Sequence, residues 1–157
     1  MKTLLHWLAC RARKEPCTTV VLHGTAGASA SSSVDWLRKI GLSYHYLIDR
    51  DGSIIKAVPY SKVAYHAGVS MGPQGKDVNR YSVGIAFANL ENGRDPITGP
   101  QYAAVVSLIR QLERELPIRY LTTHYAIAPK RKSDPVMLRP TKLREMADQL
   151  NLKPYLS

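Results

Sequence analysis

Of the five histidines in the sequence, two close short apolar runs. His23 ends the first strand-like run in VVLHGTAG, and His124 ends a second in LTTHYAIAP. Ten residues after His124, the basic stretch RKSDP supplies Asp134. Two neutral imidazoles and one carboxylate are a ligand set suited to hydrolytic zinc, with the fourth tetrahedral position left for water. The same residues could instead cap two strand ends and a turn. No close HxxxH pair fixes a metal locally, so spacing alone leaves both readings open.

For the two imidazoles to meet, the runs that carry them must be strands ending at one rim of a sheet. Thr18–Leu22 (TTVVL) and Ser82–Ala88 (SVGIAFA) are short, β-branched and apolar, the pattern of buried strands. Arg119–Thr123 predicts a third. Tyr44–Ile48 and Ser53–Val58 flank Asp49-Arg50-Asp51-Gly52 and predict a hairpin, with Gly52 free to take a left-handed turn. Ser31–Ile40 predicts a helix with serine caps and Val34, Leu37 and Ile40 on one face. Gly99–Leu116 predicts a longer one, with Pro100 in its first turn and a stripe of Tyr102, Val105, Val106, Ile109, Leu112 and Leu116. Lys142–Leu150 predicts a short final helix, and residues 61–81 and 128–140 predict loops. Helices and strands interleave along one chain. The expected class is therefore α/β (mixed α+β): a single domain, residues 1–157, with a central mixed sheet flanked by helices.

The chain has 157 residues, 45% hydrophobic and 22% charged, which suits one globular domain and leaves no room for a second core of similar size. With only Cys10 and Cys17 it is no disulfide scaffold, and both are expected as free thiols. The formal net charge of +10 favours an anionic partner: nucleic acid, acidic lipid or cell wall. No apolar run approaches the length of a membrane span. The start, MKTLLHWLACRARKEP, imitates a signal peptide, but its apolar stretch contains His6. A basic run also stands where a cleavage site should lie. The reading is mature protein, synthesised in the cytoplasm without a signal peptide.

Five words in order change the odds at the histidines: HGT at 23–25, YHYLIDRDG at 44–52, AYHAG at 64–68, NRYSVGI at 79–85, and His124 to Asp134 through APKRKS. Together they resemble the zinc-dependent N-acetylmuramoyl-L-alanine amidases, the family of phage amidase-type lysozymes, bacterial anhydro-muropeptide amidases and peptidoglycan recognition proteins. The resemblance runs from about 18 to 135, leaving 1–17 as an N-terminal extension and 141–157 as a C-terminal helix and tail. It implies one zinc ion per chain, held by His23, His124 and Asp134 in a groove at the sheet rim. It also implies a substrate, the amide between the lactyl group of N-acetylmuramic acid and L-alanine of the stem peptide. Lys132 matches the family lysine and is the candidate for stabilising the oxyanion. Tyr44 matches the tyrosine that some members carry beside the zinc, placed to orient water. A bacterial branch has glutamate on the strand read here as SVGIAF; this chain has Ala86 there, which favours the Tyr44 arrangement. Lys130 and Arg131 are expected to be further charges of a basic loop or contacts to an anionic wall. His66 is expected to line the substrate groove. Asn79 is expected to fix the loop entering the strand, with a substrate contact as its alternative. His45, next to Tyr44 on a strand, should point the other way into the core. Trp7 and Trp36 should pack, and His6 should lie on the surface.

The leading functional expectation is a monomeric phage or prophage endolysin that acts on the bacterial wall after release, its positive charge drawing it to anionic wall. Two alternatives stand beside it: a cytoplasmic muropeptide-recycling amidase, and a non-catalytic peptidoglycan recognition module. Such modules lose a zinc ligand, whereas His, His and Asp are all present here. A nucleic-acid partner is not expected, because no basic helix with interleaved aromatics accompanies the charge.

Overall fold

The computed structural model describes all 157 residues. In chain order the strands are β1 (Lys2–Thr3), β2 (Cys10–Ala12), β3 (Thr19–Gly24), β4 (Tyr46–Ile48), β5 (Ile54–Lys56), β6 (Lys62–Ala64), β7 (Met71–Gly72), β8 (Gly75–Lys76), β9 (Ser82–Phe87), β10 (Tyr120–Thr123) and β11 (Lys153–Pro154). The helices are α1 (Ala30–Ile40), α2 (Gly99–Glu113), α3 (His124–Ile127) and α4 (Pro140–Leu150). Seven strands form one mixed sheet in the order β1-β5-β4-β9-β3-β10-β11, parallel throughout except for the β4–β5 hairpin. The central pair, β3 and β9, is buried along its whole length. That is why both read as continuous apolar runs rather than alternating ones.

Alternation along the strands sorts the sheet into two faces. Val20, Leu22, Val83, Ile85, Phe87, Ile48 and Leu121 join Val105, Ile109, Leu112, Leu143 and Met146 of α2 and α4 in the main core. On the other face Leu47 packs with Ala30, Val34 and Leu37 of α1. Beside that second cluster, β9 presents Ser82, Gly84 and Ala86, three small residues. They leave a trough for imidazole rings: a Cβ on Gly84 would lie 2.6 Å from Cγ of His66.

The helix ends have local causes. Ser29 caps α1 by accepting from the Ser32 amide at 3.2 Å, and Gly41 closes it with φ of 72°. Thr98 and Gln101 form a reciprocal capping box at the start of α2. In the β4–β5 turn Gly52 takes φ of 88°, as the hairpin requires.

Several expectations change. The segment 61–81 is not one loop; it holds β6, β7, β8 and a 3₁₀ turn at Val78–Tyr81. The N-terminal extension, residues 1–17, takes part in the fold: β1 joins the main sheet beside β5 and β2 pairs with β6. Within that segment the Arg13 guanidinium donates to the carbonyls of Tyr60, Lys62, Arg80 and Ser82 at 2.8–3.1 Å. One side chain thus ties the segments 60–62 and 80–82 together. Trp36 and Trp7 do not pack inside but stand 60% and 41% exposed. No helix is long and apolar enough to cross a membrane.

Candidate metal centre and groove

The site forms where the parallel strands β3 and β10 end side by side. His23 is the penultimate residue of β3 and is wholly buried. Thr123 ends β10 and caps α3 by accepting from the Ala126 amide, which makes His124 the first residue of that helix rather than of a loop. The chain then turns back, and the Tyr125 amide donates to the Asp134 carbonyl at 3.0 Å, which returns Asp134 to the rim. The Gly24 amide donates to Asp134 Oδ2 at 3.2 Å.

Three atoms converge as a result. His23 Nδ1 and His124 Nδ1 lie 3.1 Å apart, and Asp134 Oδ2 lies 3.4 Å from each of them. Zinc bonds of about 2.0–2.1 Å at tetrahedral angles place ligand atoms roughly 3.3–3.4 Å apart, so the spacing fits. The proton order fits as well. His124 Nε2 lies 3.1 Å from the Ala67 carbonyl, which only accepts, so Nε2 carries the proton and Nδ1 offers a lone pair. His23 Nε2 lies 2.9 Å from His66 Nδ1, and His66 Nε2 lies 3.1 Å from Ser82 Oγ. If each ring donates toward Ser82, His23 Nδ1 also offers a lone pair. Two lone pairs and a carboxylate then face one point, an arrangement that calls for a cation. Burial, reinforced by the charge of His124, pushes His23 down to about 4, so its imidazole is neutral as a ligand must be. Burial would raise the Asp134 carboxyl, but its contacts with His124 and His23 outweigh that and keep it ionised.

A groove of about 770 Å³ opens over this point, lined among others by Tyr44, Tyr65, Glu91, Lys132 and Asp134. The Tyr44 ring centroid is 4.9 Å from that of His23, at 52°. Burial, then the charges of Asp134 and Glu91, push its phenol up, so it stays a neutral donor. Lys132 is exposed on the groove wall.

His66 and Asn79 both line the groove, as expected. The two ring nitrogens of His66 are engaged by His23 and Ser82, so it also supports a triad residue. Asn79 Oδ1 accepts from the amides of His66 and Ala67 at 3.1 and 2.8 Å, the loop-fixing contact expected of it. His45 faces the core: Nδ1 accepts from the Gly84 amide and Nε2 donates to the Lys62 carbonyl. Arg131 is no free wall contact; its guanidinium donates to the Ala67 and Val69 carbonyls at 2.8 and 2.9 Å. It therefore holds the same Ala67 carbonyl that orients His124. Cys10 and Cys17 are free thiols.

Sequence reasoning passed over Glu91. It lies in the loop after β9, with φ of 58°. Its Oε1 accepts from the Val136 amide at 2.8 Å, while Oε2 is buried without a partner. Burial, helped by the charge of Asp134 and opposed by the Val136 amide, pushes its carboxyl up to about 7.

Comparison with known proteins gives the family and the fold. Residues 13–136 match the family model described as N-acetylmuramoyl-L-alanine amidase. The chain is 34% identical over 122 residues to the 1,6-anhydro-N-acetylmuramyl-L-alanine amidase AmpD of Enterobacter cloacae; the match covers 76% of this chain and 64% of that relative. The chain thus spans somewhat under two thirds of the length of that curated relative. The crystal structure of a selenomethionine AmpD derivative superposes with a TM-score of 0.76 at 25% identity, covering 92% of this chain and 93% of that one. The amidase AmiD of Escherichia coli, solved with anhydro-N-acetylmuramic acid-L-Ala-D-γ-Glu-L-Lys, superposes with a TM-score of 0.75 at 25% identity, covering 87% and 58%.

Proposed function

The chain belongs to the N-acetylmuramoyl-L-alanine amidase family, and from that premise we propose that it hydrolyses the amide between the lactyl group of anhydro-N-acetylmuramic acid and L-alanine in small, soluble wall fragments. The observation that carries the reading is the convergence of His23, His124 and Asp134 under an open groove inside the matched region. This reading replaces the endolysin expectation, for which the chain's own support was its positive charge. The curated relatives instead are named for anhydro-muramyl substrates, which supports the muropeptide-recycling alternative. The wall-lysing and antimicrobial roles lose their ground with it.

In this reading His23, His124 and Asp134 hold one zinc ion. Zinc in such a site lowers the pKa of water toward neutrality and polarises a carbonyl. The chain's own residues do the rest. Lys132 supplies positive charge to the oxyanion that forms as the amide carbon becomes tetrahedral. Tyr44, kept neutral by burial, donates a hydrogen bond that orients the reactants. The buried contacts of His66 with His23, and of Ala67 with His124, fix the rings so that both Nδ1 atoms face Asp134.

The test compares a soluble anhydro-muropeptide with intact sacculi, using the zinc-loaded protein at equal concentration. Release of the L-alanine amino group should be at least tenfold faster from the fragment. Equal or faster release from sacculi would return the role to wall lysis.

A further inference from the structure

Amide hydrolysis needs more than a polarised carbonyl. As the C–O bond forms, a proton must leave the attacking water; as the C–N bond breaks, a proton must reach the departing amine. The groove holds few groups that can do both. Tyr44 is a neutral phenol, Lys132 is a cation placed for charge, and both nitrogens of His66 are engaged. His23, His124 and Asp134 are committed to one another. Ala86, the register partner of His23 on β9, carries no functional group.

Glu91 remains. Its Oε2 is buried in the groove wall and makes no hydrogen bond, which is rare for a carboxylate oxygen in a folded protein. The position is built. The Glu91 amide donates to Asn89 Oδ1 at 2.8 Å, and its backbone holds a left-handed φ that side-chain-bearing residues seldom take. Oε1 is pinned by the amide of Val136, two residues beyond Asp134. Oε2 lies above Gly24, the residue after His23, where a Cβ would come within 2.2 Å of it. The absence of a side chain at 24 is therefore what admits the carboxylate. On the amide side of the same glycine stands Asp134 Oδ2.

We infer that Glu91 is a catalytic residue of this chain: its free oxygen takes the proton from the attacking water and passes it to the nitrogen of L-alanine as the amide bond breaks. The balance closes within the site. One water is consumed, one C–O bond forms, one C–N bond breaks, and the proton that Glu91 accepts leaves on the amine. The inference rests on the amidase reading above, and it gives the proton transfer to a loop that follows the sheet, beside the orienting role of Tyr44.

Glu91→Gln separates this from a purely structural role. The amide oxygen of glutamine can still accept from Val136, so the pin survives while the proton acceptor is lost. The variant should bind one zinc per chain with wild-type affinity and melt within a few degrees of wild type. Its kcat on the soluble anhydro-muropeptide should fall by about 10²–10⁴-fold with KM little changed. Gly24→Ala, which displaces the carboxylate without altering it, should also retain zinc and lose turnover. Wild-type turnover by Glu91→Gln would overturn the inference and leave Glu91 a structural pin. Loss of zinc from that variant would overturn it too, by placing Glu91 in holding the metal. Failure of the zinc-loaded wild type to release alanine amines would overturn the amidase reading, and this inference with it.

Discussion

Lys132 and Lys130 stand two residues apart in one turn, yet they face different surroundings. Lys132 borders the groove with Tyr44 and Asp134, whereas Lys130 borders a neighbouring depression with Val69 and Ile127. Lys132→Ala should therefore keep zinc and fold but lose about 10²–10³-fold in kcat, the usual loss for one oxyanion donor. Lys130→Ala should stay within about threefold of wild type on the same soluble substrate, since it touches neither triad nor groove. Steady-state kinetics with zinc analysis checks both, and exchanged phenotypes would mean that the turn presents the wrong lysine. The histidines were legible at this scale because each ends an apolar run, and strand ends are where one sheet brings distant residues together. Glu91 was not legible. Its side chain reaches the site through a left-handed backbone in a loop and through a missing Cβ at Gly24, and neither leaves a periodic trace. Arg131 was misread for a related reason: a basic run does not disclose which of its members finds carbonyls to hold.

At the scale of elements, the buried strands β3 and β9 and the long helices were readable because a run covered on both faces, or a capped stripe, has one stable use. The short pieces were not. β1, β2, β6, β7 and β8 are two or three residues each, too short for any period, and they form only because the main sheet or a facing segment offers a partner. The trough of Ser82, Gly84 and Ala86 shows the same limit, since small residues on a strand signal room without naming what fills it. What fills it includes His45, held by the Gly84 amide and the Lys62 carbonyl with the Arg13 guanidinium 3.4 Å away. Burial first, and then the Arg13 charge, push this imidazole from an ordinary 6.5 down to about 3, against a bond to the Lys62 carbonyl that favours the charged form. The folded pKa lies below the unfolded one. Between about 6.5 and about 3 the unfolded chain therefore binds the extra proton. Stability is full above that window and is lost as pH falls through it, by about 1.4 kcal/mol per pH unit for one such group. Unfolding free energies of the chelated protein, from urea titrations, should fall with pH below 6.5 and approach that slope about one pH unit lower. A flat profile down to pH 5 would contradict a neutral buried His45.

At the scale of the whole molecule, one mixed sheet separates two tasks. The face under α2 and α4 carries the main hydrophobic core, and the rim at the ends of β3 and β10 carries the chemistry. The formal charge of +10 was legible from composition but pointed to several anionic partners at once. In the proposed reading the partner is a small anionic wall fragment, received in a groove of about 770 Å³ with Lys132 on its wall. In the proposed mechanism this chain cuts one amide bond with a metal held by His23, His124 and Asp134. The most direct measurement is product analysis by mass spectrometry on a soluble anhydro-muropeptide, with chelated, zinc-restored and His23→Ala protein side by side. The zinc-restored protein should release the stem peptide with a free L-alanine amino group and leave the sugar intact. The chelated protein and His23→Ala should release none. Alanine release that survives chelation, or cleavage at any other bond of the fragment, would contradict the account.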